Sequence, residues 1–259
     1  MTEEIQAPLT DEIITSPQSR AHFLKGAAVA AASLGLAPSI VSAAALHGGG
    51  TGGAMTESTS TILNIAATAE AAAVTALYNV HVAVNQGKLN TAGIAIPVPF
   101  LVRIVRGILR QEQDHLSFLM GAGARPLYTS FTFPAGIFSS ALGAVEFLET
   151  ADTAFAAAYM AANREFAAAG MAQLAQYAYQ IGGTETEHRA LARAAQGKLP
   201  NNLSFELNLF GKVGDAANAL AKLGIFKPGL NYPGARAVDR ILATSGDRNV
   251  TAGVTHRHP

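Results

Sequence analysis

Two four-residue segments carry the residue types for metal chemistry, Glu112-Gln-Asp-His115 and Glu185-Thr-Glu-His188. Each sets a carboxylate three residues before an imidazole, inside a stretch patterned as helix. Residues three apart share one face of a helix, a single turn apart. One helix can therefore offer an oxygen and a nitrogen ligand to the same ion. The chain has 7 histidines among its 259 residues, and chance alone supplies about 0.3 such spacings. Position counts for more than spacing. Both segments fall on the apolar stripe of their helices, and each faces a partner helix with an acid of its own, Glu70 and Glu149.

Imidazole and carboxylate together suit iron or manganese, and a chain without cysteine has no thiolates to favour a softer metal. The same absence excludes disulfides. Four carboxylates balance the four positive charges of two divalent ions. Stripped of metal they repel one another, which raises their pKa values. The competing reading makes Glu112 and Glu185 members of exposed salt bridges and the histidines satisfied core residues.

The elements that must position these groups read as four helices. The first spans about 58–86 with the stripe Leu63, Ala67, Glu70, Val74, Leu77 and His81. The second spans about 100–120 with Leu101, Ile104, Ile108, Glu112, His115 and Leu119. The third, about 139–168, is read with Leu142, Glu146, Glu149, Thr153, Ala156 and Met160 inward, so that Glu146 is an alternative ligand to Glu149. The fourth spans about 172–195 with Leu174, Tyr177, Ile181, Glu185, His188 and Ala192; Gly182 and Gly183 mark either a close approach, a bulge or a break. Counted from the turns between them, the acids return to about one height in each antiparallel pair, because rise per residue is constant. Residues 122–138 show no helical pattern and are long enough to run the length of the helices, a crossover between the second and third.

The organisation of the whole chain follows. Residues 1–46 read as an export leader: a basic start, the uncharged run 26–46, and small residues at Ala43, Ala44 and Ala45. Ser19-Arg20-Ala21-His22-Phe23-Leu24-Lys25 resembles the twin-arginine export signal, with Ala21 where its second arginine stands. That reading places the protein in the periplasm or outside the cell, with the export machinery as partner. The alternative is an uncleaved membrane anchor through 26–46. Residues 47–55 form a Gly-rich linker, 56–197 the helical domain, and 198–259 a partly irregular extension with a helical stretch near 214–223. Zero formal net charge argues against a nucleic-acid partner.

The stretches 62–70, 112–115, 147–159 and 185–191 resemble the ferritin-like superfamily, in particular its exported bacterial branch that includes desiccation-related proteins. The resemblance implies an all-α fold, a ferritin-like four-helix bundle with a long crossover. It also implies a site for two iron or manganese ions: Glu112 and Glu185 as bridging carboxylates, His115 and His188 as terminal ligands, and Glu70 and Glu149 from the remaining helices. The chemistry it implies is redox work on iron, oxygen or peroxide, of ferroxidase, peroxidase or catalase type. The alternative is a non-enzymatic stress or structural protein whose metal site is vestigial or stabilising. A homo-oligomer is compatible with either.

Overall fold

The computed structural model describes residues 57–243. The leader at 1–46, the linker at 47–55 and residues 244–259 lie outside the described residues. Six helices and one short ribbon make up the rest: α1 Thr59–Asn85, α2 Val98–Gly121, β1 Ser130–Phe131, α3 Ala141–Ala168, α4 Ala172–Ala195, α5 Val213–Lys222, β2 Leu230–Asn231 and α6 Ala235–Ala243. The chain is therefore all-α in class.

The long helices start and stop for local reasons. The Ser58 hydroxyl accepts from the Thr61 N–H at 3.1 Å and that of Ser140 from Gly143 at 3.2 Å, each quieting an orphan donor at a helix N-terminus. α2 begins instead on Pro97 and Pro99, whose fixed φ suits a first turn. Gly170, at φ 72, ends α3 by letting the Met171 N–H reach back to Phe166 O at 2.8 Å. Only residues 169–171 then join α3 to α4, too few to travel the length of a helix, so the two run antiparallel.

Hydrogen bonds fix the remaining directions. The chain just after α2 meets the start of α1, with Arg125 N–H on Asn64 Oδ1 and Leu127 N–H on Thr68 Oγ1, both at 2.7 Å. The chain just before α3 meets the far end, where Asn90 N–H donates to Ser139 O and Ala141 N–H to Asn90 O at 2.8 Å. Residues 122–140 therefore traverse the helices end to end. α1 and α4 point one way, α2 and α3 the other. The crossover carries one element that its sequence does not advertise, strand β1.

Residues after 197 share the same core. Phe210, Val213, Ala216, Ala219, Ile225 and Val238 join the cluster of α1–α4 side chains. β2 pairs antiparallel with β1, setting Ser130 opposite Asn231 and Phe131 opposite Leu230. Phe131 is wholly buried there, and an alanine in its place costs about 3–5 kcal/mol. α5 is capped from both sides of its first turn: Asp215 accepts the Lys212 N–H at 3.2 Å, and Glu57 accepts the Gly214 N–H at 2.9 Å. α6 lies on the outer side of α2, where Arg110 meets Asp239 at 3.1 Å.

α1 is the one described helix long and apolar enough to cross a bilayer by length and composition. Two-thirds of its most apolar stretch is buried within the protein, as suits a core helix.

Gly182 and Gly183 sit in an unbroken α4, so the break and the bulge are set aside in favour of close approach. A Cβ on Gly182 would lie 3.0 Å from Tyr159 Cβ, whereas one on Gly183 would meet nothing within 4 Å. Gly183→Ala is expected to raise stability by about 0.5–1 kcal/mol through helix propensity. Gly182→Ala is expected to lower it by about 1 kcal/mol, since crowding against α3 outweighs that gain. Urea unfolding midpoints of the two variants check the opposite signs.

Candidate metal centre

Five of the six ligands read from the sequence come together. α2 and α4 run antiparallel and place their Glu-x-x-His turns face to face. His188 Nδ1 stands 3.0 Å from Glu112 Oε1, and His115 Nδ1 stands 3.3 Å from Glu185 Oε1. Each histidine also lies near the acid of its own turn, at 4.0 Å for His115 to Glu112 and 3.5 Å for His188 to Glu185. Glu70 arrives from α1 on the His115 side, with Oε2 3.6 Å from His115 Nδ1. Glu70, Glu112 and Glu185 have no solvent exposure, and His188 has 1%.

The sixth ligand is corrected. Glu149 points away from the cluster, into an ion-pair network with Arg193, with Gln196 at 2.8 Å and with Lys198 at 2.7 Å. Glu146 is exposed. Asp152, one turn beyond Glu149 and 1% exposed, joins the site on the His188 side. The reason is the phase of α3. Its buried face is Ala141, Val145, Leu148, Asp152, Phe155, Tyr159, Ala162 and Phe166, an unbroken three-four spacing in which Asp152 is the one acid. Eleven alanines spread over all sides of this helix blur that phase, and Met160, read as inward, is 39% exposed. Height carries the same signal: Asp152 stands as far before Gly170 as His188 stands after it.

Ligand atoms fall into two groups, Glu70, Glu112, His115 and Glu185, and Glu112, Asp152, Glu185 and His188; within each they lie within 4.8 Å of one another. Ligands about 2.1 Å from one ion lie at most about 4.2 Å apart, so a small contraction suffices to close either group on a cation. The buried atoms fit that use. Glu70 Oε2, both oxygens of Glu112 and Glu185, Asp152 Oδ2 and the Nδ1 atoms of both histidines lack hydrogen-bond partners. Such orphaned polar atoms are costly unless a cation or protons satisfy them. The cluster can hold a metal ion.

Neighbours that sequence reasoning missed orient these ligands. The Tyr159 hydroxyl donates to Glu70 Oε1, leaving Oε2 for the cluster. Gln111 Oε1 lies 3.0 Å from His188 Nε2; an amide oxygen can only accept, so Nε2 carries a hydrogen there and Nδ1 is the ring atom turned to the cluster. Arg189, beside His188, is held by a two-pronged pair with Glu206 at 2.6 and 2.8 Å. Gln111 and Arg189 are marked in the sequence only by standing beside a ligand, and Tyr159 only by lying two turns after Asp152 on the same stripe of α3.

Charge is shared unevenly. Burial, then the charges of Glu185 and Glu70, push Glu112 well above the usual carboxylate range. Burial also raises Asp152, and the nearby carboxylates add to it. Burial would raise Glu185 as well, but the imidazoles of His115 and His188, at 3.3 and 3.5 Å, hold it below its ordinary value. For both histidines burial works downward and is outweighed by the carboxylates, so they lie well above the usual imidazole value. Without metal the cluster holds protons in place of cations.

Asp152→Ala is expected to lower the metal content of the chain, while Glu149→Ala leaves it unchanged. Elemental analysis of the two variants distinguishes the ligand from its neighbour. Glu149→Ala instead acts on acid stability. Burial opposes ionisation of Glu149, but Lys198, Gln196 and Arg193 outweigh it and hold its pKa low. Its contribution is present above the unfolded value of about 4.3 and is lost as pH falls through the folded value, so the variant's deficit shrinks in acid.

Comparison of the chain with protein-family models, with curated proteins and with solved structures gives no match.

Proposed function

We propose that this chain is a ferritin-like four-helix protein that holds a pair of iron or manganese ions for redox chemistry with oxygen or peroxide. One observation carries the reading: the two ligand groups share Glu112 and Glu185, each with one oxygen toward His115 and the other toward His188. Two overlapping ligand sets with two common carboxylates suit two ions rather than one. Four carboxylates and two neutral imidazoles also match the charge of a divalent pair, and the oxygen-rich donor set suits iron or manganese.

Two such ions, when bound, supply two electrons to oxygen or peroxide without a side-chain radical. The chain's own residues do the rest. Glu112 and Glu185 would be the carboxylates common to both ions, with Glu70 on the His115 side and Asp152 on the His188 side. Tyr159 and Gln111 fix the orientation of Glu70 and His188. Binding of cations would displace the protons that Glu112, Asp152 and the imidazoles, all raised, hold in their absence. Burial of the whole set excludes bulk water from it. The proposal includes export through the leader at 1–46 and a role in stress protection.

The test is metal stoichiometry and turnover on the purified full chain. Loading under anaerobic conditions is expected to give two Fe²⁺ or Mn²⁺ per chain, followed by consumption of oxygen or peroxide. Uptake without turnover supports the purely stabilising role instead, and no uptake overturns both.

A further inference from the structure

We propose that the apolar cavity between α1 and α3 binds an uncharged alkyl chain whose inner end meets the metal centre at Asp152. This inference rests on the metal-centre reading above. The cavity is floored by Ala76 and Leu77 of α1 and Val145 and Leu148 of α3, and roofed by Leu220 and Ile225 from the extension. About 50 Å³ of it is open to the centre of a water-sized sphere, where a single water needs about 10–15 Å³. Asp152 is its one charged lining residue.

Chemistry selects the occupant. Water needs two or more polar partners, and beyond Asp152 this lining offers only carbon, so water does not fill it stably. A charged or sugar-like ligand would lose its hydration without replacement. An empty hole is costly, because the atoms around it forgo contacts. Ala72, Ala73 and Ala76 stand where larger side chains would close the space. A hydrocarbon satisfies all of these conditions.

Shape selects a chain over a compact ring. The lining runs along α1 from Ala72 to Val80, eight residues or about 12 Å. A second cavity continues it past Phe155 and Leu220, which line both, as far as Tyr159. The long axis thus follows the α1–α3 groove and passes both Asp152 and the residue that holds Glu70. Phe133 and Phe147, packed edge to face at 6.0 Å, are half-buried members of the lining, whereas Asp152 is 1% exposed. A polar head therefore stays among the half-buried lining residues, where water can reach it, and the hydrocarbon tail points inward to buried Asp152.

The experiment uses the full chain and 1-decanol. Calorimetric titration of the metal-free protein is expected to give saturable binding of one decanol. Ala144→Phe and Ala73→Phe, which fill the cavity from opposite helices at half-buried positions, are each expected to weaken it at least about tenfold. Both should keep the wild-type metal count. With Mn²⁺ bound, proton relaxation of bound decanol is expected to be faster for the terminal methyl than for the carbinol CH₂. No saturable binding, binding unaffected by both fillings, or faster relaxation at the head overturns the assignment, and a normal metal count then leaves the metal centre standing. Decanol binding by a chain that takes up no Mn²⁺ or Fe²⁺ overturns the metal reading and, with it, the role of this chain-binding site.

Discussion

Replacement of Glu112 or Glu185 by alanine is expected to abolish binding of the metal pair, because each belongs to both ligand groups. At free metal a hundredfold above the dissociation constant, each ion stabilises the native state by about 2.7 kcal/mol. Loss of both therefore removes about 5 kcal/mol, or more than about 10 °C of metal-dependent thermal shift for a chain this size. Without metal the two variants part company. Glu112 is the carboxylate strained by burial and by Glu185 and Glu70, so Glu112→Ala relieves repulsion and the metal-free protein gains or holds stability. Glu185 is the carboxylate that the two histidines hold ionised, so Glu185→Ala strands two raised imidazoles and lowers stability. Melting curves with and without Mn²⁺, beside a metal count, read both effects. Glu187 is exposed and Glu187→Ala is the control. Glu165 is unsuited to that purpose, being buried and accepting the Glu57 N–H at 3.2 Å. Equal metal content and equal metal-induced shift in wild type and Glu112→Ala would sink the two-ion reading.

The second large effect is a reversal of pH dependence by metal. Folded-state values of Glu112, His115 and His188 are all raised. A raised group stabilises fully below its unfolded value, about 4.3 for Glu and 6.5 for His, and loses that contribution as pH rises through the folded value. Glu185 works oppositely: lowered, it contributes above about 4.3 and fails as pH falls further. The metal-free protein is therefore expected to be most stable in mild acid and to weaken steadily above about pH 6.5. Cations compete with the same protons, so metal-loaded protein is expected to gain stability over that range. Thermal melts at pH 5, 7 and 9, in chelator and in Mn²⁺, should give slopes of opposite sign. Parallel slopes would show that these groups hold no cation.

Legibility in the sequence followed the strength of the local pattern. On α2 the large residues Leu101, Ile104, Ile108, Leu116 and Leu119 define one face, so the inward direction of Glu112 and His115 could be read directly. On α4 the same holds for Ile181, Glu185, His188 and Ala192. On α3 alanine looks alike buried or exposed, so the pattern offers a stripe through Leu142 and Met160 as readily as the buried one through Val145, Leu148, Phe155 and Tyr159. That ambiguity of phase hid Asp152. β1 and β2 were illegible for another reason. A two-residue strand has no periodicity, and the partner that makes Phe131 a strand residue is Leu230, about a hundred positions away.

That separation has a kinetic consequence. Contacts within α1–α2 and within α3–α4 close short loops, whereas the β1–β2 ribbon closes one of roughly a hundred residues, the slower event by loop entropy. Every residue of the metal centre precedes position 189, while Leu220, Ile225 and the second ribbon strand follow it. During synthesis from the N-terminus, all six ligands emerge before the roof of the α1–α3 groove exists. The C-terminal segment therefore docks last, laying Leu220 and Ile225 over the α1–α3 groove after the four long helices have paired.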